Sequence, residues 1–326
     1  MNKERMKFMT KPTNDHAFTR EDLYGTTPEA TYAGATSFMR RKYSRDLTGV
    51  DVAVSGVPFD LATTNRSGAR LGPRAIRAAS TNLAWGDVLN WQCDPFKTLA
   101  VVDYGDCDFD HGRPEQIPDT IYEHAKNILA QDTAMLTLGG DHFLTYPIVK
   151  AHAEQYGPIS LIHFDAHSDT WEDEDGRIDH GTMFYHAAKQ GIIDPTTSAQ
   201  IGMRTSNPDT HGYNVYDANW VHDNGIEKTA AKIKEIVGDK PCYLTFDVDC
   251  LDPSFAPGTG TPVCGGLSTH QAQRILRGLE GINLVGMDVV EVAPAYDVSE
   301  ITALAAATLA LDLLCLYKAS KEQWQK

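Results

Sequence analysis

The sequence predicts an α/β fold in which a parallel sheet is covered by helices on both faces. Three observations point there. Short β-branched runs alternate with helical patterns from Val50 onward, as in successive strand–helix–strand units. Strand cores such as Ile159-Ser160-Leu161-Ile162 carry no charge, as a sheet buried on both faces requires. The alternation never breaks, so the 326 residues read as one α/β domain behind an N-terminal extension.

The elements follow in order. Residues 1–45 lack sustained periodicity, are rich in Thr, Lys, Arg and Asp, and contain Pro12 and Pro28; they are expected to form an arm or lid against a neighbouring subunit. Strands are expected over 51–56, 99–103, 134–139, 159–165, 199–204, 242–247 and 283–290, where β-branched and apolar residues cluster. Helices are expected over 117–131, 146–155, 226–237 and 269–279. The Ala- and Leu-rich run 302–320 closes the chain as a helix, with Lys318 at the negative end of its dipole. Ligands of such a sheet gather at the carboxyl ends of the strands.

Composition narrows the chemistry. No stretch is expected to reach the ~18 apolar residues of a membrane span, and the charged start Met1–Lys7 precedes no apolar signal core, so a soluble cytoplasmic protein is expected. The formal net charge of −15 argues against nucleic acid and suits a small cationic substrate. Six scattered cysteines form no CxxC pair, and Cys250 is expected to be a small packing residue. No P-loop or GxGxxG fingerprint supports nucleotide binding.

Three segments carry the candidate chemistry. Gly139-Gly140-Asp141-His142 follows a strand; its glycines allow a sharp turn that places His142 at the strand end, though a histidine there also suits a surface. In His163-Phe164-Asp165-Ala166-His167-Ser168-Asp169, residues two apart on an extended chain share a face, which gathers Asp165, His167 and Asp169 along with His163. Such a cluster needs a cation, because buried charges need partners. In Phe246-Asp247-Val248-Asp249, Asp247 and Asp249 share a face in the same way, while Asp252-Pro253 reads as turn chemistry. Together His142, Asp165, His167, Asp169, Asp247 and Asp249 exceed the needs of one metal and balance two divalent ions. Carboxylates with some imidazole favour Mn²⁺. Two metals about 3.5–4 Å apart lower the pKa of a shared water. His180 could shuttle protons or lie at the surface, and Glu291 could bind a guanidinium bidentately or make an ordinary ion pair.

With these residues in view, the sequence resembles the ureohydrolase (arginase/agmatinase) family through GGDHFLTYP, HFDAHSDT and TFDVDCLDPSFAPGTGTP, over about residues 56–320. The resemblance implies a three-layer α/β/α domain, here 46–326, assembled as trimers or hexamers around two Mn²⁺ ions per chain. It implies that His142 and Asp169 serve one ion and His167 and Asp249 the other, with Asp165 and Asp247 bridging. It makes Asp169 the proton carrier of the attacking hydroxide, His180 the shuttle and Glu291 the guanidinium carboxylate.

The segments HGTMFYHAA, APGTGTPVCGG and MDVVEVAPAYDVSEITALAAATLA resemble bacterial agmatinases, which implies hydrolysis of agmatine to putrescine and urea in polyamine biosynthesis. The acidic stretch 171–179 would repel a substrate carboxylate and tolerate an amine. Arg177 within it leaves 4-guanidinobutyrate open as an alternative substrate, and an inactive metal-binding homologue is a further reading.

Overall fold

The computed structural model describes residues 15–26, 29–173 and 175–324; residues 1–14 of the expected arm, Pro28 within it and Glu174 of the acidic stretch lie outside the described residues. Nine parallel strands form one sheet: β1 (Lys42–Tyr43), β2 (Val52–Val57), β3 (Val101–Asp106), β4 (Ala134–Gly139), β5 (Ser160–Phe164), β6 (Ala199–Met203), β7 (Asn214–Asp217), β8 (Cys242–Asp247) and β9 (Leu284–Val290). The helices are α1 (His16–Thr19), α2 (Gly72–Ser80), α3 (Ile117–Leu129), α4 (Thr145–Tyr156), α5 (Met183–Lys189), α6 (Ala218–Val237), α7 (Thr269–Gly278) and α8 (Ile301–Trp324).

Alternation along the strands feeds two separate cores, which makes the molecule three-layered. Val52, Val54, Leu136, Leu138, Ile162, Leu244 and Phe246 pack with residues of α2, α6, α7 and α8. Ala53, Met135, Leu161, Tyr243 and Val285, each one position out of phase, pack with α3, α4 and α5. Both faces of the central strands are therefore buried, as the uncharged strand cores predict.

Strand order is β1-β3-β2-β4-β9-β8-β5-β6-β7. The chain fills one flank through β4, skips two positions to β5, and later inserts β8 and β9 into the gap. The four adjacent central strands β4, β9, β8 and β5 thus all end at one crevice, and each delivers a candidate site residue there.

Several elements escaped the sequence. β1 and β7 are short, and β7 is a partly exposed edge strand. α2 opens Gly72-Pro73, which reads as a breaker but sits in the first turn, where proline is tolerated. α6 begins at Ala218, eight residues before the expected start, and is broken at Gly225 (φ 81°). Over its described part the extension joins the fold: Phe38 and Met39 enter the core and Lys42–Tyr43 pairs with β3. α8 corrects the apolar-run expectation. By length and composition it could cross a membrane, yet 78% of its apolar window is buried inside the protein. Its apolarity serves packing against α2, α7 and β9.

Candidate metal centre and substrate cavity

His142 stands one turn beyond β4. The glycines before it work by close approach rather than by an unusual turn: a Cβ on Gly139 would lie 2.6 Å from Val290 Cγ1, and one on Gly140 2.4 Å from the carbonyls of Val57 and Phe59. Asp141 accepts the N–H groups of Ala62 and Phe143, each at 2.9 Å, and so ties the 58–68 loop to the strand end.

The second segment departs from the extended geometry expected of it. β5 ends at Phe164, and the chain then folds into a loop in which Asp169 adopts a left-handed backbone (φ 51°). Its side chains converge because the loop wraps, not because they alternate. Asp165 Oδ1 accepts the N–H of His167 at 2.6 Å, closing the loop on itself. Asp249 likewise lies on a single 3₁₀ turn after β8, its N–H bound to Asp247 Oδ1 at 2.7 Å. Asp252 is turn chemistry as expected, bonding Ser254 and Gly265. Cys250 is a buried packing thiol with its Sγ 3.6 Å from the Ile201 carbonyl.

The six expected ligands come together in two overlapping groups. His142 Nδ1 lies 3.0 Å from Asp165 Oδ2, 3.0 Å from Asp169 Oδ2 and 3.4 Å from Asp247 Oδ2. His167 Nδ1 lies 3.3 Å from Asp165 Oδ1 and 3.1 Å from Asp249 Oδ2. Asp165 therefore offers one oxygen to each group.

The hydrogen-bond network fixes how these rings point. Thr245 donates its hydroxyl to Asp288 Oδ1 at 2.6 Å, so its oxygen accepts from His142 Nε2 at 2.8 Å. That leaves His142 Nδ1, buried, aimed at three carboxylates. His163 differs. Gln200 Nε2, fixed by the Ser168 carbonyl at 2.6 Å, donates to His163 Nδ1 at 3.1 Å, and His163 Nε2–H then donates to Asp165 Oδ2 at 2.8 Å. His163 is thus a holder of Asp165, with its proton where a ligand would need a lone pair.

Charge at the site calls for cations. Burial opposes the imidazolium of His142, but Asp165, Asp169 and Asp247 carry its pKa well above the ordinary value. Burial likewise opposes His167, which Asp249 and Asp165 push up to about 12. Burial, then Asp249 and Asp165, drives Asp247 far above the carboxylate range, and burial with Asp165 raises Asp249. Among the described residues, no lysine or arginine pairs with these carboxylates. An arrangement that pulls protons so hard onto its imidazoles is one that divalent ions would satisfy in their place.

Glu291 follows β9 in a left-handed conformation (φ 66°), its N–H bound to the Gly140 carbonyl at 2.9 Å. Its Oε1 accepts the His142 N–H at 2.8 Å, while Oε2 is buried without a partner. His180 faces it, Nδ1 to Oε1 at 3.4 Å. On the other side His180 Nε2 accepts the Thr64 N–H at 3.0 Å and meets its hydroxyl at 2.8 Å. Burial favours the neutral ring, but Glu291 carries His180 up to about 9. A cavity of about 190 Å³ is lined by Thr64, His167, Asp169, Trp171, His180, Gly181, Asp247 and Thr261.

Thr64, Trp171, Gln200, Thr245, Thr261 and Asp288 were not legible as site residues. Thr64 belongs to a loop without pattern, and Gln200 and Thr245 are polar positions inside otherwise apolar strands, which is the one signal that could have marked them.

A family model described as the arginase family matches residues 50–315. The chain belongs to the arginase family. Within it, an agmatinase of Chromobacterium violaceum is 61% identical over 94% of this chain and 96% of its own. The crystal structure of a hypothetical agmatinase from Burkholderia thailandensis superposes with a TM-score of 0.93 at 62% identity, covering 95% of this chain and 99% of that one. The proclavaminate amidino hydrolase of Streptomyces clavuligerus shares the fold at TM-score 0.85 and 38% identity, over 90% of this chain and all of that one. The high identity to agmatinases over nearly the whole chain makes this protein a hydrolase acting on a guanidino C–N bond.

Proposed function

We propose that this protein is a manganese-dependent agmatinase that converts agmatine and water to putrescine and urea. The observation that carries the reading is Glu291: a buried carboxylate oxygen without a partner, beside the carboxylate–imidazole cluster and opposite His180. The high identity to agmatinases over nearly the whole chain supports the substrate.

In this reading His142, Asp165, Asp169 and Asp247 would hold one Mn²⁺, and His167 and Asp249, again with Asp165 and Asp247, would hold the other. The ions would supply Lewis acidity and lower the pKa of a bound water. Glu291 accepts the guanidinium N–H groups and orients the planar carbon. Asp169 takes the proton of the attacking water and passes it to the leaving amine. A guanidinium on Glu291 also removes His180's anionic partner and places a cation beside it. Both changes lower the His180 pKa from about 9 toward neutrality, where it exchanges protons with solvent. The same reading has the enzyme act in the cytoplasm as a trimer or hexamer.

The test is urea release by Mn²⁺-loaded protein from agmatine, L-arginine and 4-guanidinobutyrate side by side. Agmatine is expected to give the highest kcat/KM. Preference for the acid would transfer the assignment to a guanidinobutyrase, and no urea from any of the three would sink it.

A further inference from the structure

The cavity lining mixes two chemistries. Asp169 and Asp247 belong to the metal centre, and Thr261 bonds Asp249 Oδ2 beside it at 3.1 Å. Trp171, 41% exposed, brings an aromatic side chain to the same cavity. Gly181 positions Trp171: the Trp171 backbone N–H bonds the Gly181 carbonyl at 3.0 Å, and a Cβ on Gly181 would lie 3.7 Å from Trp171 Cδ1, so the ring packs beside a residue with no side chain.

The acidic stretch that follows is expected from sequence to repel a substrate carboxylate and tolerate an amine. Several of its carboxylates are engaged elsewhere. Asp173 and Asp179 both turn onto Arg177, at 3.2 and 3.4 Å from its Nε. Glu172 is 63% exposed and turned toward His211 at 3.9 Å. Arg177 itself is 73% exposed and held by its two aspartates, so it is not offered to a substrate carboxylate either. Among the described residues, the cavity lining carries no lysine or arginine for an acidic tail, and no carboxylate beyond the metal-centre aspartates for a basic one.

From this we infer that Trp171 forms a subsite for an alkylammonium group, holding the far end of the substrate by cation–π attraction and thereby selecting a cationic tail over a neutral or anionic one. The inference rests on the reading of the protein as a guanidine hydrolase and adds the group that chooses among guanidines. An aromatic face attracts an ammonium and repels a carboxylate, and indole is the strongest of the natural rings. A partly desolvated contact of this kind is the term that separates agmatine from 4-guanidinobutyrate, given that both share the guanidinium end.

The experiment compares agmatine with n-pentylguanidine, which replaces the ammonium by a methyl group of similar size, in wild type, Trp171→Leu and Trp171→Phe. Trp171→Leu is expected to lower kcat/KM for agmatine by about fivefold to thirtyfold, through KM, while n-pentylguanidine changes less than about twofold. Trp171→Phe, the smaller perturbation, is expected to show an intermediate loss on agmatine alone. Equal losses on both substrates, or an unchanged agmatine KM in both variants, would overturn the inference while the wild-type activity upholds the functional reading. A wild type that releases no urea from agmatine would overturn both.

Discussion

Single residues in this site owe their chemistry to the neighbours that orient them. His142 illustrates it: Asp288, gripped by Thr145 at 2.8 Å and Tyr243 at 2.9 Å, holds the Thr245 hydroxyl, which in turn holds His142 Nε2. Thr245→Val breaks that chain in the middle without emptying the buried space, and Asp288 retains two donors. Metal affinity should fall about tenfold to a hundredfold with the fold intact, read by metal titration calorimetry alongside circular dichroism. Unchanged affinity would show that packing alone orients His142. The candidate ligands themselves were legible because Asp and His are rare at the ends of apolar runs. Thr245 and Gln200 were not, because a single polar residue within a strand announces neither its partner nor its direction. His163 shows the same limit: its place in the motif suits a ligand, and only Gln200, thirty-seven residues away, assigns its proton.

Elements were legible where their burial was uniform. Strands β4, β8 and β9 were found almost to the residue because both faces are buried and their composition says so. Edge strands and α2 were missed because half-exposed segments and an opening Gly-Pro send mixed signals. The closing helix α8 carries the clearest element-scale consequence. Its Asp312 is buried, accepting Trp91 Nε1–H at 2.6 Å and Gln273 Nε2–H at 3.0 Å. Burial pushes its pKa up to about 6. Between the ordinary value near 4 and about 6, the folded chain holds a proton that the unfolded chain has lost, so this group's contribution to stability is lost as pH rises through that window. Asp312→Asn does not titrate. Relative to the variant, wild type should lose about 2–3 kcal/mol between pH 4 and pH 7, measured by denaturant unfolding at both values. Parallel curves for the two proteins would show that Asp312 stays ionised.

At the scale of the molecule, the net charge of −15 surrounds a cavity already lined with aspartates. Such a field draws cations inward and weakens with salt as the screening length shortens from about 30 Å at 0.01 M to about 8 Å at 0.15 M. For agmatine, kcat/KM should fall several-fold as ionic strength rises across that range while kcat stays level, in steady-state assays with sodium chloride. A flat response would confine recognition to contacts inside the cavity. The three-layer class was legible from alternation alone, but the insertion of β8 and β9 between β4 and β5 was not. Strand order is set by which helices cover which face, and no local pattern encodes it.

Glu291 sits where a backbone of its kind is reluctant to be, with a carboxylate oxygen that nothing among the described residues satisfies. Conformations of this sort cost about 1–3 kcal/mol for a residue with a side chain, and a glycine would relieve the cost. Heat tolerance and turnover therefore pull in opposite directions at position 291. A programme that screened variants for thermal resilience alone would drift toward replacing this residue and would harvest sturdier, silent proteins.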